Sequence, residues 1–451
     1  MDTSKQVAFI TNVRQRKVTI LNFVQNRKES ETIQKIVGDV ASRASTTVLH
    51  QEKNLFGIDS AVEEIYQLLS MESDAVRAIG ICGMGGIGKT TIAKAFYNRY
   101  RNKFDISCFS VNVKQHSQGG SSLLQLLQQL LIDLLRKKDY KIPDVESGIR
   151  KLTHVIHSKR ALIVLDDLDC ANYSELLASI GNLFPAGSKI IITTRDANLL
   201  NKLKADISEV DTYMVKTLGE TESLELFSYH AFRKLVPPES FAELSLNFVT
   251  HAGGLPLALK VLGSSLLGRT DVSFWKDKLA KVKAIPENDI QKILQLSYDE
   301  LEDETQKKIF LDIAFFFVGK DKDEATDIFK SCDFFPGVGI QNLVDRCLVT
   351  IDESNRFQMH NLIQDMGKEL GKTTRLFLRG NAWKSLQNPE GKNNVEGLIL
   401  DLTTSTNKQM STVIFQRMHN LRLLQIIDAN DITGSFENLL PKLRCIRWHD
   451  N

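Results

Sequence analysis

Residues Gly83–Thr91 read GMGGIGKTT and lie between an apolar run, Ala78–Cys82, and a helix-like stretch, Ile92–Tyr100. The spacing is a glycine, four residues, then Gly88-Lys89-Thr90, in the strand-loop-helix setting of a Walker A loop. Each residue type has a physical task. Gly83, Gly85, Gly86 and Gly88 let the backbone curl, so that successive N–H groups across Met84, Ile87 and Thr91 can point inward at phosphate oxygens. Lys89 adds a cation for the β- and γ-phosphates, the Thr90 hydroxyl reaches Mg2+, and the helix that follows presents its positive N-terminus. A glycine-rich turn that binds nothing is the alternative, and motif and context together speak against it. The expectation is a nucleotide-binding chain.

Outward from this loop, from Leu55 to about Arg233, apolar strands alternate with amphipathic helices, the pattern of a parallel sheet with helices on both faces. The candidate strands are Ala78–Cys82, Ile106–Val113, Ala161–Leu165, Lys189–Thr194 and Tyr213–Val215, and leucines recur at helical spacing over Ser121–Lys137. In such sheets ligands collect at the carboxyl ends of the strands, where the charged residues of this chain fall. ALIVLDDLD releases Asp166 and Asp167 from a buried strand, a Walker B arrangement. Asp166 is the expected Mg2+ ligand, directly or through water, and Asp167 is placed to polarise an attacking water, which makes the two the candidate catalytic residues. GSKIIITTRD ends a third strand on Arg195, whose guanidinium can read a γ-phosphate and so separate ATP from ADP.

Composition frames these motifs. A chain of 451 residues with 42% hydrophobic and 25% charged residues is ordinary for a globular protein of about three domains. The net charge of +2 makes no case for nucleic-acid or membrane-surface affinity. Cys82, Cys108, Cys170, Cys332, Cys347 and Cys445 are scattered without a CxxC pair, which fits free thiols in a reducing, cytoplasmic or nucleocytoplasmic compartment. No apolar run approaches the 18 or so residues of a membrane span; the longest, Ile309–Val318, is interrupted by Asp312.

The order of these motifs, together with LELFSYHAF (Leu224–Phe232), GGLPLAL (Gly253–Leu259), FLDIAFFF (Phe310–Phe317) and MHNLIQDMG (Met359–Gly367), resembles the NB-ARC module of plant disease-resistance NLR proteins. The resemblance covers roughly Asn26 to the C-terminus. The forms LIVLDDLD, FLDIAFFF and KESETIQKIV (Lys28–Val37) are similar to the TIR-type subgroup. It implies a nucleotide held between a P-loop domain, a small helical domain and a winged-helix domain, with ADP locking a closed form that ATP exchange releases for oligomerisation. Carried over by residue, Gly254, Leu255, Pro256 and Leu257 form one wall with Pro256 near the adenine, Leu55, Phe56, Gly57 and Ile58 line the other side of the base, and His360 touches the β-phosphate of ADP. From the residues alone, Gly253–Pro256 is a loop before a helix with proline preset for the first turn.

The departures matter. Asn361 stands where the family's motif has aspartate. Asparagine keeps the capacity to cap the helix Leu362–Glu369 but loses a charge that favours protonated His360, so a looser hold on ADP is expected. Phe315 replaces a cysteine of the FLDIACFF form. The residues before Gln25 are too few for a TIR domain, so the expectation is a chain without the signalling domain. Leu398–Leu400, Leu421–Leu424 and Leu443–Ile446 recur near the 20–29-residue period of leucine-rich repeats. The expected boundaries are 1–50 for an N-terminal linker, 51–235 for the P-loop domain, 236–285 for the helical domain, 286–370 for the winged helix, 371–395 for a weakly structured linker and 396–451 for the start of repeats.

The leading functional expectation is an ADP/ATP switch of plant innate immunity, with Mg2+, slow or absent turnover, and homo- or hetero-oligomerisation with other NLR proteins under the control of an effector or guarded host protein. A turnover ATPase and a truncated, non-signalling regulator or decoy are the alternatives. A DNA-binding regulator is disfavoured, because Asp303–Leu362 contains no strongly basic helix.

Overall fold

A computed structural model describes Leu49 and residues 55–110, 122–135, 140–168, 184–203, 210–284, 287–387, 392–405, 409–429, 431–435 and 439–449. The elements below belong to the unit His50–Asn451. Helix α1 (Ile58–Leu68) leads into β1 (Arg77–Cys82), the glycine loop and α2 (Lys89–Tyr100). There follow β2 (Ile106–Ser110), α3 (Ser122–Leu135), α4 (Val145–Ile156), β3 (Ala161–Leu165), β4 (Lys189–Thr194), α5 (Asn198–Leu203) and β5 (Val210–Met214). The five strands pair in parallel in the order β2-β3-β4-β1-β5. Strands β3 and β4 are buried along their whole length, as parallel strands covered on both faces must be. Even Lys189 is fully buried, its ammonium donating to the carbonyls of Ser73 (3.0 Å) and Ala75 (2.9 Å).

The sheet departs from the sequence reading at its edges. The last strand begins at Val210, not Tyr213, because Val210 already pairs with Ala78. Asp211 and Thr212 sit on the half-exposed edge, so no apolar run announces them. Residues 111–113 of the expected second strand and the segment Lys28–Val37 lie outside the described residues.

Helices α6 (Glu220–Phe232), α7 (Ala242–Ala252), α8 (Pro256–Leu266) and α9 (Val272–Ala284) pack around Trp275, which is fully buried among Phe227, Phe232, Phe241 and Phe248 at ring separations of 4.8–6.2 Å. Pro256 opens α8 in its first turn, as the sequence indicated. Beyond α10 (Asn288–Asp299), α11 (Glu304–Asp312) is capped by Asp303, whose carboxylate accepts from the Gln306 N–H. It runs into a π-helical turn, Ile313–Phe317, then α12 (Lys322–Ser331) and α13 (Pro336–Asp345). The small antiparallel hairpin of β6 (Thr350–Ile351) and β7 (Phe357–Gln358) forms the wing, and α14 (Asn361–Gly371) closes the unit. One apolar cluster is continuous from Met84 and Ile87 of the glycine loop, through the helical unit and winged helix, to Ile399 and Leu423.

The polar stretch 371–395 is not the weakly structured linker its Gly, Asn and Lys content suggested. It contains β8 (Arg375–Arg379), followed by 3-10 turns at Gly380–Gln387 and Lys392–Asn394. Leu376 and Leu378 alternate inward and are enough to add a strand to the repeat sheet. With β9 (Gly397–Asp401), β10 (Gln409–Ser411), β11 (Leu423–Ile427), β12 (Asp431–Thr433) and β13 (Cys445–His449), it builds a parallel sheet in the order β13-β11-β9-β8 and a smaller β10-β12 pair. The register pairs Arg375 with Gly397, Gly397 with Leu423, and Leu423 with Cys445, one repeat per strand.

Candidate functional site

The site is built where β1 ends. Gly83, Gly86 and Gly88 have φ of 156°, 78° and 103°, so the loop turns through backbone conformations that side chains resist. At Gly86 a Cβ would also lie 2.7 Å from that of Leu257, which seals the loop against α8. Lys89 opens α2 and is 8% exposed, with its ammonium donating to the carbonyls of Gly83 (2.7 Å) and Met84 (2.9 Å). Burial first, and the neighbouring Arg195 second, pull this ammonium down to about 8.

Behind the loop, Asp166 is 2% exposed, and its Oδ1 accepts from the hydroxyls of Thr90 (2.8 Å) and Thr193 (2.7 Å). Burial raises its pKa while both hydroxyl donors lower it. Thr193 has a second task. Its oxygen accepts from the Asp167 N–H at 2.8 Å, fixing Asp167 in the left-handed conformation (φ 56°) that aspartate tolerates. The Arg195 Nε lies 3.8 Å from Asp167 Oδ1, and its Nη1 donates to the Ile293 carbonyl of α10 at 3.1 Å.

These groups border a cavity of about 720 Å3. It is lined by Phe56, Gly57 and Ile58 on one side, by Gly86 through Thr91 along the loop, by Asp167 and Arg195 at the sheet edge, and by Pro256 and Leu257 opposite. Lys94, Lys216 and Lys260 add cations to the wall. The other sequence candidates stand back from it. Gly83 and Met84 give their carbonyls to Lys89. Gly85 abuts Ile293, Leu255 is fully buried in the apolar cluster, and Asp166 sits behind Thr90.

His360 is also one shell removed. Its Nε2 lies 3.0 Å from the Gly253 carbonyl and its Nδ1 accepts the Leu362 N–H at 3.2 Å, so the neutral tautomer carries its proton on Nε2. Burial lowers its pKa, in keeping with that neutral form. His360 therefore caps α14, the task the sequence assigned to Asn361. The Asn361 amide instead donates to the His251 carbonyl at 2.6 Å. Both bonds grip the end of α7, and a Cβ on Gly253 would come within 2.5 Å of Asn361 Oδ1 and 2.9 Å of His360 Nε2.

Thr193, Lys94 and Ile293 were missed in the sequence. Thr193 was legible in principle as the residue preceding Thr194-Arg195 at the strand end; Ile293, which acts through its backbone, left no signal. The arrangement fits a nucleotide: a glycine cradle, cations along one wall and a helix N-terminus. It also fits a hard cation, since Thr90 and Asp166 supply oxygen donors. Among the described residues no group of three or more His, Cys, Asp or Glu is gathered for a metal, so a divalent ion here would depend on phosphate oxygens as well. Among the described residues no helix is long and apolar enough to cross a membrane.

Comparison with known proteins agrees with this geometry. The NB-ARC domain family matches residues 58–236, and the winged-helix domain of Roq1-like disease resistance proteins matches residues 303–374. Disease resistance protein RUN1 of Vitis rotundifolia is 38% identical over 421 residues, covering 91% of this chain and 31% of the relative. TMV resistance protein N of Nicotiana glutinosa is 38% identical over 438 residues, covering 93% of this chain and 37% of the relative. The chain thus spans about a third of the length of the curated relatives it matches. Among solved structures, the Walker-type ATPase PABY2304 of Pyrococcus abyssi superposes with a TM-score of 0.51 at 14% identity, over 70% of this chain and 97% of that one, a likeness of fold. With both domain families matched in order and these relatives aligned over nearly its whole length, the chain belongs to the NB-ARC-containing plant disease-resistance NLR proteins.

Proposed function

We propose that this chain is the nucleotide-operated switch of a disease-resistance receptor, resting with ADP and Mg2+ in the cavity and changing state on exchange for ATP. The observation that carries the reading is the cavity itself, bounded at once by the glycine loop, by Arg195 at the sheet edge and by Pro256 of the helical unit. A ligand filling it touches elements that a conformational change would separate.

In this reading Gly83–Thr91 and Lys89 hold the phosphates, and Phe56, Ile58 and Pro256 enclose the base, with Leu255 packed behind them. Thr90 and Asp166 hold Mg2+, which would neutralise phosphate charge. Arg195 reads the γ-phosphate, and His360 acts on the diphosphate side through the Gly253 corner. Asp167 is the water-polarising residue of any hydrolysis. The Arg195 guanidinium, 3.8 Å from its Oδ1, competes with a water for that carboxylate, which favours slow turnover over a working ATPase. Oligomerisation with other NLR proteins, control by an effector or guarded host protein, and cytoplasmic residence belong to the same proposal.

The test is the nucleotide extracted from purified protein. The wild type is expected to yield ADP, and Lys89→Ala to yield little, since a buried charge-assisted contact to phosphate contributes about 1.5–3 kcal/mol, or roughly ten- to a hundredfold in affinity. Equal ADP content in a folded Lys89→Ala protein would overturn the assignment. Multiple turnover by the wild type would favour the ATPase alternative.

A further inference from the structure

Arg195 is shared between the cavity and a helix outside the P-loop domain. Its guanidinium lines the cavity, yet Nη1 donates to the Ile293 carbonyl of α10 at 3.1 Å. The same carbonyl presses on the glycine loop: a Cβ added to Gly85 would lie 3.0 Å from the Ile293 oxygen, 3.1 Å from Ile293 Cγ2 and 3.4 Å from Arg195 Nη1. Helix α10 is thus fastened to the loop by one arginine and one close backbone approach. Ile290 and Leu294 of the same helix are anchored in the apolar cluster that continues into the winged helix.

One turn further along α10 stands Ser297. It is 3% exposed, and among the described residues its hydroxyl has no hydrogen-bond partner. A buried hydroxyl without a partner costs free energy, so a structure that keeps one invites a reason. Ser297 is four residues beyond Ile293, the spacing at which a helical serine can rotate to donate to the carbonyl of the preceding turn.

We infer that Arg195, Ile293 and Ser297 form a relay that couples the γ-phosphate to release of α10 from the glycine loop. The inference rests on the nucleotide reading above. In the arrangement seen here Arg195 takes the second acceptor position of the Ile293 carbonyl, beside its helical bond, and the Ser297 hydroxyl is idle. A γ-phosphate competes for the same guanidinium with full charge and wins it from a neutral carbonyl. The carbonyl then takes the Ser297 hydroxyl, the buried hydroxyl gains its bond, and α10 is free to leave Gly85. No proton or electron is transferred; one donor replaces another. A diphosphate leaves Arg195 where it is.

Ser297 is not one of the residues that line the cavity, so a selective effect on ATP over ADP is a readout that a packing role would not move. The experiment measures ATP and ADP affinities, with Mg2+, for the full chain. Ser297→Ala should leave ADP affinity unchanged and the melting temperature equal to or above wild type, because it removes an unpartnered buried group, and should weaken ATP about two- to tenfold, the worth of one hydrogen bond. Ser297→Thr should restore ATP affinity. Gly85→Ala, whose Cβ pushes α10 away, should shift the ATP-to-ADP preference in the opposite direction. If Ser297→Ala changes both affinities equally or neither, the relay is overturned, and the nucleotide reading stands as long as the wild type binds both. If Arg195→Ala also fails to weaken ATP relative to ADP, the γ-phosphate reading falls with it.

Discussion

Asp312 is the charge that interrupts the longest apolar run of the sequence, and the structure makes it the centre of a buried ionic cluster. Its carboxylate is fully buried and accepts from Arg375 Nε at 2.8 Å and from Arg422 Nη2 at 3.2 Å. Glu396 bridges the same two arginines at 3.4 Å and 2.9 Å and reaches Lys308 at 3.0 Å, while the Arg422 guanidinium stacks 4.8 Å from the Phe334 ring. Asp312→Asn keeps the shape and removes the charge, leaving two buried guanidinium groups to share Glu396. Breaking a buried pair from one side costs about 3–5 kcal/mol, a large part of the roughly 5–15 kcal/mol that holds a domain together. The expected result is a substantial drop in unfolding midpoint, with hydrogen exchange rising first in β8 and β9, whose ends carry Arg375 and adjoin Glu396. Asp312→Leu combined with Arg375→Met should cost less than the sum of its parts, because neither charge is then left alone. A loss below about 1 kcal/mol for Asp312→Asn, or strict additivity in the pair, would refute the view that the cluster is an interdependent unit.

Thr193→Val keeps the volume and deletes both hydrogen bonds that align Asp166 and Asp167; a stability loss of about 2–4 kcal/mol and a weaker Mg2+ requirement for ATP binding are expected, and a melting curve superimposable on wild type would contradict this. Asn361→Asp should speed ADP release, not slow it, because a carboxylate cannot donate to the His251 carbonyl 2.6 Å away; a slower off-rate would restore the charge argument drawn from the sequence. Burial holds His251 and His360 below the ordinary value of 6.5, so the unfolded chain takes up protons that the folded one resists. Stability should therefore be full above 6.5 and fall as pH drops through it toward the lowered folded values, with Asp365, raised by burial, acting in the opposite sense at lower pH. His360→Gln should flatten that fall as the pH drops below 6.5, and an unchanged slope there would exclude His360 as a contributor.

What the sequence made legible was whatever depends on local pattern. Gly83–Thr91, the strand ending in Asp166-Asp167, and Pro256 at a helix start each follow from residue type and spacing within a few positions, and each stands where expected. What escaped depends on partners distant in sequence. Asn361 looked like a helix cap with a missing charge; only the fold shows that His360 takes the cap and that the amide reaches the end of α7. The strand Arg375–Arg379 was hidden because two inward leucines are a weak signal among polar neighbours, and because its first residue, Arg375, is held by Asp312 and Glu396, which lie far from it in sequence or just before the next strand. Ile293 contributes a backbone carbonyl, about which its side chain says nothing.

The seam between winged helix and repeats bears on how such chains can be recombined. Gly397 admits the Phe316 ring where a Cβ would stand 2.7 Å from it, and Arg375 and Arg422 arrive from two segments of the repeat sheet to meet one aspartate, with Glu396 from the segment between them bridging both arginines. A chimera joined in the polar stretch after Gly371 would therefore inherit its lock from one parent and its key from the other. Exchanged repeats can graft cleanly only if they bring an arginine in register with 375, a small residue at 397 and a second arginine at 422. A graft lacking them would fail at the junction by burying charge, whatever its outer surface recognises.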